Sequence, residues 1–170
     1  VAIGYLALSA AGAGESSNIA IGESSMTSAD EGSGSGNAIN TNIAIGVNSL
    51  TGGNFGDVSD STSRTLVDNI AIGTNALNST GVNSQTGTIA IGKDSLTVLT
   101  SGTGCTAVGY QSVDANDTGN NHTAVGYQAL SATNGAKHGA TAIGYKALHQ
   151  NVSAGTSDYS VAVGRESGDN

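Results

Sequence analysis

The chain has 170 residues, of which 11% are charged and 4% aromatic, with 26 glycines, no proline and no tryptophan. Its net charge of −8, with only five Lys and Arg to meet phosphates, excludes a simple nucleic-acid reader and disfavours an anionic membrane surface. Sparse charge and absent proline are unlike a disordered chain, and suit a backbone whose N–H groups are all needed for ladder hydrogen bonds.

One short unit recurs from end to end. It reads VAIGYLAL from Val1, IAIGESSM from Ile19, IAIGVNSL from Ile43 and IAIGTNAL from Ile70. It continues as IAIGKDSL from Ile89, TAVGYQSV from Thr106, TAVGYQAL from Thr123 and TAIGYKAL from Thr141. A ninth copy, VAVGRESG from Val161, ends in Gly168 where the others carry an apolar residue. The shared glycines are Gly4, Gly22, Gly46, Gly73, Gly92, Gly109, Gly126, Gly144 and Gly164, spaced by 17 to 27 residues. That periodicity predicts a solenoid rather than a closed globular domain. The whole of 1–170 reads as a single repeat array. It opens inside a motif without Met and stops in a degenerate copy, as a piece of a longer fibre would.

Each copy predicts two very short strands joined at the glycine. In IAIG at 43–46, alternation sends Ile43 and Ile45 one way and Ala44 and Gly46 the other. The large face is expected to form the core, and the bare face to admit another sheet or chain. Stacked coils then align Ile21, Ile45, Ile72, Ile91, Val108, Val125 and Ile143 in one internal ladder. Leu50, Leu77, Leu96, Leu130 and Leu148 form a second. The fold class is therefore all-β, a parallel β-roll or β-helix solenoid of about nine coils, spanning on the order of 40 Å. About three large apolar side chains per coil fall short of the entropic cost of ordering some seventeen residues. An intertwined homo-oligomer is the simplest source of the missing burial.

TAVGYQAL, TAIGYKAL and NIAIG resemble the repeats of phage tail fibres. They are also similar to the head repeats of trimeric autotransporter adhesins. The resemblance covers essentially the whole chain and implies left-handed parallel β-rolls packed as a homotrimer around a threefold axis. It also implies an extracellular structural protein of a virion tail fibre that attaches to a host surface receptor, a glycan or a surface protein. The alternative is the head of an adhesin on a bacterial surface. The YQAL and YKAL tails, and a period longer than the roughly fourteen residues of adhesin heads, favour the fibre.

Candidate contact residues follow in chain order. The longest inserts are 27–42 and 51–69, and loops on a rigid solenoid are where variable function is carried. Phe55, the one phenylalanine, lies in the second. It is either a receptor anchor or tucked over its own coil, the second being favoured. Tyr110, Tyr127 and Tyr145 each follow a motif glycine, and predict either an aromatic ladder, which is favoured, or a platform for sugar rings.

Metal and catalytic signals are weak. DANDTGNN at 114–121 places Asp114, Asn116 and Gly119 at calcium-loop offsets, but Val125 stands where the twelfth-position Glu belongs. GGNFGD at 52–57 approaches a calcium-binding nonapeptide without repeating. Both read as solvated turns, and no metal or cofactor is expected. His122, His138 and His149 lack zinc-type spacing. His122 and Cys105 share the slot before the motif with Asn18, Asn42 and Asn69. No nucleophile elbow or carboxylate pair is patterned, so the expectation is a non-enzymatic module. A fibre-borne glycan depolymerase would need a carboxylate cluster in a groove, and an ice-binding surface more than the column Thr106, Thr123 and Thr141. No stretch is long and apolar enough to span a bilayer, and no signal peptide is present.

Overall fold

The computed structural model describes residues 1–12, 14–32, 36–55, 62–115, 118–132, 138–149 and 159–168. Thirteen strands of two or three residues build it. They are β1 (Ala2–Ile3), β2 (Ile19–Ile21), β3 (Ala38–Asn40), β4 (Ile43–Ile45), β5 (Thr65–Val67), β6 (Ile70–Ile72) and β7 (Gln85–Thr86). The remainder are β8 (Ile89–Ile91), β9 (Gly102–Thr103), β10 (Thr106–Val108), β11 (Thr123–Val125), β12 (Thr141–Ile143) and β13 (Val161–Val163).

Every motif copy supplies one strand of a nine-stranded parallel sheet, in the order β1-β2-β4-β6-β8-β10-β11-β12-β13. Register is kept motif to motif: Ala44 pairs with Ala71, Ala107 with Ala124, Ala124 with Ala142. Parallel strands in chain order, each one circuit of the chain from the last, make a β-solenoid. A second parallel sheet, β3-β5-β7-β9, comes from the residues just before four of the motifs. This sheet was not expected from the sequence, which assigned those stretches to polar loop. Its strands are only two or three residues long, AIN, TLV, QT and GT, and share no pattern.

The strand faces are the reverse of the expectation. The motif alanines, Ala20, Ala44, Ala71, Ala90, Ala107, Ala124 and Ala142, point inward with no exposure. Ile21, Ile45, Ile72, Ile91 and Val108 point outward and are half-buried, while Val125 and Ile143 are exposed at 37% and 39%. The expected isoleucine core column is thus an outer stripe. Leu50, Leu77, Leu96, Leu130 and Leu148 are buried. The reason is the thin cross-section. The chain folds back directly beneath each strand, so a leucine from the turn meets the strand alanine across the interior. At the last coil, a Cβ on Gly168 would meet both Leu148 Cδ2 and Ala162 Cβ. One large and one small residue fill that gap, and an isoleucine in the alanine column has no room.

The second short strand expected after each glycine is instead a turn. Its second and fourth residues hold left-handed backbone angles: Asn48 and Leu50 at φ 53° and 49°, Gln111 and Val113 at 51° and 53°. Such angles are uncommon outside glycine and rare for a β-branched residue. Stacking holds them. The Asn48 N–H donates to the Glu23 carbonyl in the preceding coil, and the Leu50 N–H to the Ala76 carbonyl in the following one. The turn therefore ladders in both directions without strand geometry. Between these two residues sits a buried Ser or Ala. Ser49, Ser95 and Ser112 each donate to the carbonyl of their own motif glycine, at 3.0–3.1 Å, which satisfies the buried hydroxyl.

Candidate functional site

The residue after each motif glycine points outward at a corner of the roll. Through the later coils this column reads Lys93, Tyr110, Tyr127, Tyr145, Arg165. Parallel in-register stacking brings the three rings face to face. Centroids are 5.3 Å apart in both pairs, with ring planes within 15°. Cations close the stack. Lys93 Nζ lies 5.4 Å from the Tyr110 centroid, and Arg165 and Lys146 lie 5.4 Å and 5.6 Å from that of Tyr145. The rings remain 38–43% exposed.

The next column runs Asp94, Gln111, Gln128, Lys146, Glu166. The Gln128 Nε2–H donates to Gln111 Oε1 at 2.8 Å. Lys93 pairs with Asp94 at 2.5 Å and Arg165 with Glu166 at 3.5 Å. Burial works against ionisation of Asp94, but the hydrogen bonds from Lys93 and Asn75 win and hold its carboxyl below the usual value. The Lys93 ammonium is raised, chiefly by the Asp94 hydrogen bond.

Phe55 is not part of any exposed surface. It is 1% exposed and belongs to the apolar core, with its N–H donating to the Asp30 carbonyl at 2.8 Å. The receptor-anchor reading of Phe55 is thereby corrected.

The slot before the motif faces inward between the two sheets and forms a polar zipper. Asn42 Nδ2–H donates to Asn18 Oδ1 at 3.1 Å and to the Leu66 carbonyl at 2.6 Å. Asn69 repeats this toward Asn42 Oδ1 and the Gln85 carbonyl. Each side-chain oxygen also accepts the next coil's backbone N–H, from Asn42, Asn69 and Thr88 in turn. His122 fills the same slot fully buried, and its Nδ1 accepts the Ala140 N–H at 3.2 Å. A histidine thus does an asparagine's work. Cys105, also buried there, donates to the Gly119 carbonyl at 3.3 Å, and burial pushes its thiol up, away from reactivity.

Ser131 and His149 stack in adjacent coils and share a short hydrogen bond through Nδ1. His138 Nδ1 accepts the Asn120 N–H at 3.0 Å. The three histidines are not brought together. Of the calcium-loop residues, Asn116 lies outside the described residues, as does the end of GGNFGD at 56–57, while Asp114 and Gly119 are described. Among the described residues no group of three or more His, Cys, Asp or Glu is placed to hold a metal ion, and no helix is long and apolar enough to cross a membrane.

The tyrosine column was visible in the motif alignment, and so were Lys93 and Arg165 in the same slot. The glutamine pair and Lys146, one position on, were missed, although the same alignment holds them in register. No family model, curated protein or solved structure matches this chain.

Proposed function

We propose that the chain is a non-enzymatic structural module of a viral tail fibre: an extracellular homotrimeric roll of about nine coils that carries loops toward a host surface. What supports this reading is the outer stripe. Val1 and Ile3, Ile43 and Ile45, Ile70 and Ile72, and Val161 and Val163 stand in two uncharged columns along the motif sheet. Within the array they stay half-buried to exposed, as Val125 and Ile143 are at 37% and 39%. The column from Ile3 to Val163 is aliphatic throughout, whereas the other carries Thr106, Thr123 and Thr141 in its later coils, and such an aliphatic strip is costly to leave in water. It is also narrow, two residues wide. Copies packed around a common axis would cover such a strip, and three is the number that the resemblance to fibre repeats implies.

The mechanism is attachment by repetition. Three identical chains present each weak contact three times, so avidity rises without a deep pocket. The glycine spacing of 17 to 27 residues favours the fibre over an adhesin head. Light scattering tests the reading directly. The expected particle has three times the 16.5 kDa chain mass, and a particle of one chain overturns it.

A further inference from the structure

We propose that the strip of Tyr110, Tyr127 and Tyr145, with Gln111, Gln128 and Lys146 beside it, binds an anionic polysaccharide. This rests on the reading of the chain as an attachment module.

Charge is the first argument. The chain has five Lys and Arg against thirteen Asp and Glu. Three of the five, Lys93, Lys146 and Arg165, lie over the rings of this one strip. Two are neutralised locally, Lys93 by Asp94 and Arg165 by Glu166. Among the described residues no carboxylate pairs with Lys146, and within them its ammonium over Tyr145 leaves the strip with a surplus positive charge on an otherwise acidic molecule. A ligand carboxylate or sulfate fits that position.

Geometry decides how the sugar is met. Tyr127 has Tyr110 on one face and Tyr145 on the other, so neither face is open to a pyranose ring. The sugar-platform reading therefore fails in its simplest form. Ring edges, phenol hydroxyls and carboxamides remain. The Gln128-to-Gln111 hydrogen bond fixes both amides side by side, ready to bond a run of hydroxyls. Donors repeat with the coil, 5.3 Å from ring to ring. Such a row matches a polymer of repeating units better than an isolated small molecule.

Electrophoresis of the intact protein through gels containing polygalacturonate, or neutral dextran, tests this, with mobility in a polymer-free gel as reference. The expected result is retardation by polygalacturonate and none by dextran. Lys146→Gln should weaken it about tenfold, the scale of one charge-assisted contact. Tyr127→Phe keeps the stack, loses one hydroxyl and should weaken it less. Both variants should melt at the wild-type temperature. No retardation, equal retardation by both polymers, or an unchanged Lys146→Gln variant overturns the proposal. So does a Lys146→Gln variant of altered particle mass, which would place the strip between copies. A three-chain particle that polygalacturonate does not slow removes this proposal alone, whereas a one-chain mass removes the fibre reading.

Discussion

A Cβ on Gly46 would stand 2.5 Å from the carbonyl oxygen of Gly73 in the next coil, against main chain that cannot swing aside. Gly46 also sits at φ +134°, a conformation essentially restricted to glycine. The motif glycine is therefore needed twice over, for its angle and for the close approach of successive coils. Gly164 shares the angle, at φ +128°, but a Cβ there would meet nothing closer than Ser167 at 3.9 Å. Gly46→Ala is expected to lose more stability than Gly164→Ala, which carries only the conformational penalty of about 1–3 kcal/mol. Thermal melts of the two variants check it. Equal losses would mean that the coil-to-coil clash is relieved at no cost.

The zipper between the sheets makes a second prediction. Asn42→Leu leaves both the Asn69 N–H and one Asn69 Nδ2–H without their acceptor. Each orphaned buried group costs about 1–3 kcal/mol. His122→Asn, by contrast, keeps an acceptor for the Ala140 N–H and restores the residue that the zipper uses elsewhere. It should change stability by less than about 1 kcal/mol. Denaturant titration of both variants separates the cases. A tolerated Asn42→Leu would show that the zipper is replaceable by packing.

Phe55 divides stability from attachment. Removing a fully buried ring costs about 3–5 kcal/mol, so Phe55→Ala should melt far below wild type. Under the proposed attachment role, its binding at equal folded fraction should match wild type. A variant with normal stability and lost binding would return Phe55 to the surface.

Asp114 gives the pH dependence. Burial raises its carboxyl above the ordinary carboxylate value, against smaller opposing effects from its own backbone N–H and from His149. In the unfolded chain it ionises at the ordinary value, while the folded chain holds the proton to higher pH. Stability is therefore lost as pH rises from the ordinary value through the raised one, and the deficit stays constant above it. Asp114→Asn does not titrate. It should be more stable than wild type at neutral pH, by less than about 1 kcal/mol given the partial solvent screening. The difference should vanish below the ordinary carboxylate range. Melts across that range check both the sign and the window.

Much of the fold was legible because repetition is a strong signal. Nine glycines in one motif position implied stacked parallel strands, and Ala44 does pair with Ala71 as Ile45 pairs with Ile72. Alternation also separated Ile45 from Ala44 correctly, but period two does not say which side is inside. Volume decides that, and the volume available depends on how sharply the chain turns after Gly46. The left-handed angles at Asn48 and Leu50 set that turn; asparagine tolerates such an angle, but leucine rarely adopts it, so nothing in VNSL marks Leu50. The second sheet was hidden for a different reason: Gln85 and Gly102 share a buried column with Ile39 and Leu66, so no common residue type marks it. At the candidate site the stacking of Tyr110 on Tyr127 follows from register alone. The placing of the Lys146 ammonium over Tyr145 depends on side-chain geometry that no spacing encodes.

The outward direction of the isoleucines makes the last prediction. Ile45 and Ile72 are paired neighbours midway along the stripe, and neither belongs to the interior core. Replacing both with Asp leaves Ala44, Ala71, Leu50 and Leu77 inside each coil but removes the burial between chains that so thin a coil depends on. At a threefold axis the same change brings six carboxylates into an apolar contact, where unpaired charges cost several kcal/mol each. Under the proposed threefold packing, Ile45→Asp/Ile72→Asp is therefore expected to lower the particle mass from three chains to one and, with partner burial gone, to melt its β-sheet circular dichroism at a lower temperature than wild type. Ala44→Ile tests the opposite face. It forces bulk into the closed interior and should lose the β signal itself, whatever the assembly does. A double-aspartate variant that remains a three-chain particle would move the contact to another face of the roll.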